Sequence, residues 1–591
     1  MAMEVFHERL LCFREKMKEK GITHYFSKLS DPHMTEYVHP YYKHIEWLCG
    51  FTGSNATIVV SHDVAALWTD ARYYIQAEKE LPKEWTLMRQ SDLGTITPTQ
   101  FILNDGNEFL VGFNPLITSF PMLGQMFDND NNKLLEFDIF NELQQQELVL
   151  AKVEEFTASG LTVKEKLELV RNEYHLGTLI LTALDDIAWL FNIRGTDISF
   201  SPVAYAYAIL NPNGSFLFTG NELETKEIQE FKQLKEAGVT VLPYNSFFQL
   251  LEKFMFGPTI YYSEPFTNLE LLDRIYDYEE GAELIQKLDF IQITKSIRSP
   301  KEIENMKQLH IIDSIALCKF FATMESKKGT QMTEWDACEL LEEVRSKNYQ
   351  LYNGPSFESI IATGANAAII HYSPTKEKSS IIDWNKSLLC DIGSQYKEGC
   401  TTDVTRTVHY GEPDSKVKEC YTRVLQGHID LHNKTFTKDT KIRDLDHFAR
   451  DPIIAGNPQW NYRHGTGHGV GYYLLVHECP PHFNNDFPFQ VGMTTSIEPG
   501  IYIENEFGIR IENVVVVVEE DQNHLKFEPF TLVPYCSRLI DISLLTKDEK
   551  IWLNKFNASI RSKILPQIKD ELTQKWIIEN TPTYELKEYE N

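Results

Sequence analysis

Residues 387–411 read SLLCDIGSQYKEGCTTDVTRTVHYG, and residues 492–518 read GMTTSIEPGIYIENEFGIRIENVVVVV. In the first stretch two strand-like arms flank Lys397-Glu398-Gly399, a turn signal, so it predicts a β-hairpin with Asp391 in one arm and Asp403 in the other. Side chains alternate along a strand, which puts Asp403, Thr405 and Thr407 on one face. The second stretch repeats the layout, with Glu498 and Glu512 in its arms and Asn505-Glu506-Phe507-Gly508 between them. A carboxylate in so apolar a setting is costly unless it is paired, hydrogen-bonded or bound to metal. Two such hairpins facing each other would bring four carboxylates together, and two divalent cations would balance them. Any one of these acids taken singly reads as an ordinary strand-edge acid, solvated or salt-bridged. The set of four, joined by the histidines below, points to a dinuclear metal site and to a hydrolase.

His468 sits in HGTGHGVG (464–471), between His464 and Gly471. Small neighbours there let the backbone pass close to a crowded site. The string is not a dinucleotide fingerprint, because Val470 stands where GxGxxG needs its third glycine. Neither GxSxG, HExxH nor GxxxxGK[ST] is present. His371 in AAIIHYSP and His477 in LLVHECPP follow apolar runs. Singly, each reads as a satisfied core or surface histidine. Beside a dinuclear site they become candidate proton donors and oxyanion stabilisers, since imidazole changes charge near neutral pH.

Composition narrows the function classes. The chain has 591 residues, with 42% hydrophobic and 24% charged residues, which is ordinary for a soluble globular protein of several domains. Its 57 Lys+Arg against 85 Asp+Glu leave a net charge of −28, which argues against nucleic acid or an anionic membrane surface as partner. Nine cysteines stand singly, with no CxxC pair, and suggest reduced thiols in the cytoplasm. The start, MAMEVFHERLLCFREKMKEK, reads as an amphipathic helix and not as a secretion leader. The longest aliphatic run, Val514 to Val518, is far short of the ~20 residues a membrane span needs.

Two N-terminal stretches look like copies of one plan. ERLLCFREKMKEKG, ITHYF and EWLCGFTGSNATIVV run parallel to KEKLELVRNEYHLG, TLILTALDD and IAWLFNIRGTDISF. Trp47-Leu48 matches Trp189-Leu190, and Gly53 matches Gly195. Each copy then enters strand patterns, AALWTD and AYAYAILNPNGSFLFTG, so each predicts a small α/β domain. The polar DNDNN segment (128–132) lies near the first boundary. The second boundary is Ser299-Pro300-Lys301-Glu302, with Ser at N-cap, Pro at N1 and Glu at N3. Apolar residues follow at helical spacing: Ile303, Met306, Leu309, Leu317, Phe320 and Phe321, with Asp313 as the exception. This divides the chain into 1–150, 151–299 and 300–591, the last ending in a charged helical extension from Leu544.

HGTGHGVG, the 391–407 block, SIEPGIY and GIRIENVV together resemble the pita-bread metalloenzymes, which include methionine aminopeptidase, prolidase, creatinase and aminopeptidase P. DPHMTEY, GFTGSNA, LWTDARYYIQAE, ALDDIAWLFNIRG and FEPFTLVPYCSRLID resemble the long, three-domain cytosolic aminopeptidase P, over nearly the whole chain. The fold this implies is α/β (α+β), with two creatinase-like N-terminal α/β domains before a C-terminal pita-bread catalytic domain. The resemblance implies that Asp391 holds one metal, that His468 and Glu498 hold the other, and that Asp403 and Glu512 bridge the two. It implies that His371 and His477 contact the scissile peptide, that His464 lines the site, and that Arg72 of WTDAR helps bind the peptide. A salt-bridging or helix-capping role is the plain reading of Arg72.

The implied reaction is release of the N-terminal residue from peptides with proline second, by a hydroxide held between two metals. Glu498 would take the proton from the nucleophile, His477 would stabilise the oxyanion and His371 would assist the departing proline nitrogen. Oxygen-rich ligation with one histidine suits Mn²⁺, with Co²⁺ or Zn²⁺ as substitutes. The long forms are homodimers, which makes a homodimer the expected assembly. A prolidase-like Xaa-Pro dipeptidase and a non-catalytic pita-bread scaffold are the alternatives. Two departures stand out: the hairpin aspartates are twelve residues apart where the family commonly has eleven, and Ala71 replaces a usual glycine. Inside a paired strand the extra residue would turn one aspartate to the wrong face, so the expectation is that the turn near Gly399-Cys400 absorbs it.

Overall fold

The computed structural model describes residues 2–90, 92–104, 109–127, 132–144, 146–174, 177–278, 282–286 and 289–586. The DNDNN boundary segment lies outside these, apart from Asn132. Two compact units emerge, Met1–Thr157 with Leu161–Ile291, and Ala158–Gly160 with Gln292–Asn591.

The first unit holds two six-stranded sheets. One is built from β1 (His24–Lys28), β2 (Thr57–Ser61), β3 (Ala65–Thr69), β4 (Trp85–Arg89), β5 (Phe109–Phe113) and β6 (Asn132–Glu136), in the order β4-β3-β2-β1-β5-β6. The other uses β7 (Thr178–Leu181), β8 (Ala206–Asn211), β9 (Gly214–Thr219), β10 (Val239–Leu242), β11 (Thr259–Tyr262) and β12 (Glu283–Gln286), in the order β10-β9-β8-β7-β11-β12. Position by position the pairings agree in direction: parallel, antiparallel, antiparallel, parallel, parallel. The internal repeat read from Trp47-Leu48 and Trp189-Leu190 is therefore a repeat of topology. β2, β3, β7 and β8 are buried along their whole length, which is why they read as near-continuous apolar runs. DPHMTEY ties the copies together: His33 bonds the Thr182 carbonyl (2.8 Å) and the Tyr244 hydroxyl (2.9 Å), and Tyr205 donates to Asp31 (2.7 Å).

The second unit opens with α1 (Pro300–Ser326), started by the expected capping box between Ser299 and Glu302. Met306, Leu309, Leu317, Phe320 and Phe321 are buried on its inner face, while Ile303 is only half-buried. Asp313, the polar break in that stripe, is also buried. It accepts from Arg345 of α2 (Glu334–Asn348) at 3.1 Å, and from Ser394, Tyr396 and Thr402 at 3.1, 2.8 and 2.9 Å. These three lie on β14 (Ser387–Tyr396) and β15 (Cys400–His409), which form the predicted hairpin and, with β13 (Ile360–Thr363), a three-stranded sheet. Asp313 thus clamps one face of the hairpin and leaves the other for the aspartates.

A six-stranded sheet follows, made of β16 (Phe436–Thr437), β17 (His468–Gly469), β18 (Glu478–His482), β19 (Thr494–Ile497), β22 (Asn513–Glu519) and β23 (His524–Pro529). β20 (Gly500–Ile503) and β21 (Phe507–Arg510) form a separate two-stranded ribbon. The helix α3 (Ser415–His432) packs on these elements, and the tail from Leu544 is helical as read, in α4 (Lys547–Lys563) and α5 (Glu571–Asn580). Among the described residues no helix is long and apolar enough to cross a membrane.

Candidate metal centre

β14 and β15 pair without a bulge from Ser387↔His409 to Tyr396↔Cys400, across a loop of Lys397-Glu398-Gly399. Asp391 stands opposite Thr405 and Asp403 opposite Gly393, so Asp391, Gly393, Asp403 and Thr405 share a face. The twelve-residue spacing leaves both aspartates on one side because the loop takes up the extra residue. Gly399 has φ 105°, the left-handed region that a glycine enters freely. Ala71, the other departure, is absent from the positive-φ residues, so its turn needs no glycine.

The glutamates sit differently from the expectation. They lie where one long hairpin is broken and not within its strands: Glu498 between β19 and β20, Glu512 between β21 and β22. Ile497 pairs with Asn513 and Gly500 with Arg510, so Glu498 and Glu512 face each other across the break. Their backbone N–H groups turn to other segments, Glu498 to the Thr466 carbonyl (2.8 Å) and Glu512 to that of Thr405 (3.0 Å). The turn of this hairpin is Glu504–Glu506, one residue earlier than read, with Asn505 at φ 61° and Phe507-Gly508 already in β21.

His468 is held by HGTGHGVG as the glycines suggested. A Cβ on Gly467 would lie 2.0 Å from the Ser496 carbonyl oxygen, and one on Gly469 2.4 Å from that of Glu478. His468 Nδ1 donates to the Gly469 carbonyl (2.9 Å), so the neutral ring presents its lone pair at Nε2. That nitrogen lies 3.5 Å from Asp403 Oδ2 and 3.4 Å from Glu498 Oε1. Asp403, His468 and Glu512 each offer a ligand atom within 4.8 Å of the others, and all three are buried. Asp391 joins through Arg510, whose Nε bonds Asp391 Oδ2 (3.0 Å) and Thr405 Oγ1 (3.3 Å), while Thr405 donates to Glu512 Oε2 (2.9 Å).

The electrostatics fit a cation. Burial first, then the charge of neighbouring carboxylates, pushes Asp403, Glu498 and Glu512 well above the usual carboxylate range. Asp391 Oδ1 is buried and has no hydrogen-bond partner. Oxygen-rich donors that resist ionising together, an orphaned carboxylate oxygen and an imidazole Nε2 form a donor set suited to hard or borderline divalent ions.

The other expected residues are placed as follows. The His477 ring packs edge-on against His468, centroids 4.4 Å apart at 84°. His464 bonds the Tyr502 hydroxyl through Nε2 (2.8 Å), and its Nδ1 lies 3.9 Å from Glu498. His371 is half-buried in a turn, and the carbonyl of Ile370 before it accepts from Arg510 (3.4 Å). Arg72 lies in the first unit, its guanidinium gripped by Asp70 with bonds of 2.8 Å from Nε and Nη2. Burial opposes the charge on Asp70, but the Arg72 bonds win and hold its carboxyl down at about 2.

Sequence reasoning missed Arg510 and Arg406. Arg510 is two residues from Glu512 in GIRIENVV, hence on the same face of an extended chain, which is the signal that could have found it. Burial works against its charge, yet Tyr502 and Asp391 hold it protonated. Arg406 is buried and, among the described residues, forms no ion pair; it bonds the carbonyl of Glu512 (2.6 Å) and the Asn513 side chain (2.7 Å).

Residues 304–519 match metallopeptidase family M24, and residues 523–584 match the C-terminal region of peptidase M24. Residues 9–126 and 143–302 each match a creatinase/prolidase N-terminal domain. Aminopeptidase P2 of Arabidopsis thaliana is 35% identical, over 98% of this chain and 88% of that protein. Xaa-Pro aminopeptidase 1 of Dictyostelium discoideum is 35% identical, over 95% of this chain and 94% of its own length. Among solved structures, the X-prolyl aminopeptidase of Caenorhabditis elegans, described as a cytosolic enzyme with a di-nuclear active site, superposes with a TM-score of 0.90 at 29% identity, over 98% of this chain and 100% of that one.

Proposed function

The chain belongs to the aminopeptidase P family of M24 metallopeptidases, and from that membership we propose that it releases the N-terminal residue from peptides with proline in the second position. The observation that carries this is the meeting of Asp403, His468 and Glu512 within 4.8 Å, with Asp391 and Glu498 beside them, in a chain similar to X-Pro aminopeptidases from end to end. A scaffold would have no use for buried Asp403, Glu498 and Glu512 gathered around one imidazole.

Two divalent cations, when bound, supply Lewis acidity and lower the pKa of water. Asp391, Asp403, His468 through Nε2, Glu498 and Glu512 would hold them. Glu498 would take the proton of the nucleophile on a carboxylate oxygen. His477, beside His468, donates to the developing oxyanion. His371 gives a proton to the departing proline nitrogen, and His464 lines the pocket. Arg72 contacts the peptide; its support is the likeness of WTDAR to the family's arginine and the rigid brace of Asp70. Proline has no N–H and a fixed backbone angle, so its bond needs a pocket built around the ring.

Mn²⁺ is the proposed metal, with Co²⁺ or Zn²⁺ able to substitute, and a cytoplasmic homodimer is the proposed setting. The proposed domains are 1–150, 151–299 and 300–591. The test is turnover of an X-Pro-Y tripeptide by chelator-stripped protein with and without Mn²⁺, beside an X-Pro dipeptide and an X-Ala-Y tripeptide. Manganese-dependent cleavage of X-Pro-Y alone is the expected result. Cleavage of the dipeptide alone would move the assignment to prolidase, and no cleavage would favour the scaffold.

A further inference from the structure

His477 lies in an irregular segment, 471–477, that no β-ladder fixes. The next residue, Glu478, begins β18 and pairs with Gly469 of β17. The His477 ring packs against His468, and the Glu478 carboxylate forms an ion pair with Arg298. Both partners of this pair are buried, with 2% and 1% of their side chains exposed.

Arg298 is itself fixed. Its backbone N–H bonds the Gly492 carbonyl (3.0 Å), Ile297 bridges Met493, and Nη1 bonds the carbonyl of Lys295. Its Nη2 then reaches two acceptors, the Glu478 carboxylate and the Val470 carbonyl (2.9 Å). Val470 lies two residues beyond His468, and Glu478 one beyond His477. One guanidinium therefore cross-ties the two segments that carry the facing histidines. A buried ion pair seldom adds stability over apolar packing of the same volume, so fixing geometry is the more informative account of its presence.

We propose that Arg298 and Glu478 are a positioning pair that sets the His477 imidazole against His468 for its part in peptide hydrolysis. The inference rests on the aminopeptidase reading given above. Two variants test it: Glu478→Gln, and the double change Arg298→Met with Glu478→Leu, which removes both charges and strands neither. With the manganese-loaded protein and an X-Pro-Y tripeptide, kcat is expected to fall roughly 10- to 100-fold, the range seen when outer supports of a metal site are lost. KM and metal stoichiometry are expected to hold. In a His477→Ala background, Glu478→Gln is expected to cause no further loss. Crystals of Glu478→Gln are expected to show the His477 ring displaced from His468.

An unchanged kcat in the double variant would overturn the pair, and so would losses that multiply with His477→Ala, or a His477 ring that stays in place. If the wild type fails to cleave X-Pro-Y with metal present, the functional reading falls. The ring position in Glu478→Gln crystals still decides the pair in that case.

Discussion

Arg510 binds Asp391 through a single carboxylate oxygen: Nε and Nη2 both donate to Oδ2, at 3.0 and 2.6 Å, and Oδ1 is left buried without a partner. A bidentate fork would use both oxygens, so this one-sided grip keeps an oxygen turned to the cluster. Removing the guanidinium leaves Asp391 free to rotate. Arg510→Met is expected to weaken metal binding roughly 10- to 100-fold, measured by Mn²⁺ titration of chelator-stripped protein. Unchanged affinity would show that Asp391 is oriented by its strand alone.

Asp403 gives a prediction of opposite sign for the metal-free and metal-loaded protein. Burial, and then the charges of Glu512 and Asp391, push its pKa up, so its charge is unfavourable without a cation. Asp403→Asn is expected to raise the melting temperature of chelator-stripped protein by a few degrees while abolishing the extra stabilisation that Mn²⁺ confers. Differential scanning calorimetry with and without the ion checks both halves. A metal-free protein destabilised by the change would mean that Asp403 is held by compensating hydrogen bonds.

The pH dependence follows from the same groups. Asp403, Glu498 and Glu512 have folded pKa values raised above their unfolded ones, so the native state binds more protons than the unfolded state between the two. Stability from such groups is fully present below the unfolded pKa, near ~4, and is lost as pH rises through the folded values. Asp70 runs the other way, with a folded value of about 2 that places its window lower, and so do His33, His44, His310, His428 and His432, whose burial lowers their pKa and adds stability as pH rises towards ~6.5. Metal-free protein is therefore expected to lose stability as pH rises above about 7, where the histidines are neutral in both states and the carboxylates alone set the slope. The stabilisation by saturating Mn²⁺ is expected to grow over the same range, because the ion displaces the protons. Denaturant titrations at several pH values, with and without the ion, measure both slopes.

The turn signal Lys397-Glu398-Gly399 between two strand-like arms made the first hairpin legible, and its faces came out as read because a β-ladder has a fixed period of two. Glu498 and Glu512 were found but misplaced. Pattern reads their flanks as continuous strands, while the chain breaks the ladder there to send two backbone N–H groups to Thr466 and Thr405. That break depends on contacts distant in sequence, which periodicity cannot report. Arg510 and Arg406 were passed over for a related reason: an arginine in a strand looks like a surface residue until its acceptors are known. Asp313 was seen only as a flaw in a helical stripe, although it anchors the back of the hairpin. The internal repeat was easier, because buried central strands and helix starts carry local signals, and the sheet order repeats in full.

The loop Lys397-Glu398-Gly399 and the strands beside it answer differently to shortening. Tyr396 pairs with Cys400, so the register is set by the ladder, and the loop only closes it. Deleting the exposed Lys397 leaves a two-residue connection, a common hairpin length, and every strand residue can keep its partner. Gly399 stays to turn the chain beneath Tyr472, where a Cβ would lie 2.3 Å from the ring. Deleting Ile392 also shortens the aspartate spacing by one, but within the paired strand. There it turns Asp391 to the opposite face from Asp403 or forces a bulge. The loop deletion is expected to bind two equivalents of Mn²⁺ and keep most of the X-Pro-Y activity, and the strand deletion to bind none tightly. Metal analysis of both purified proteins separates the cases. If the loop deletion also loses its metal, the twelve-residue spacing is itself a requirement of this site.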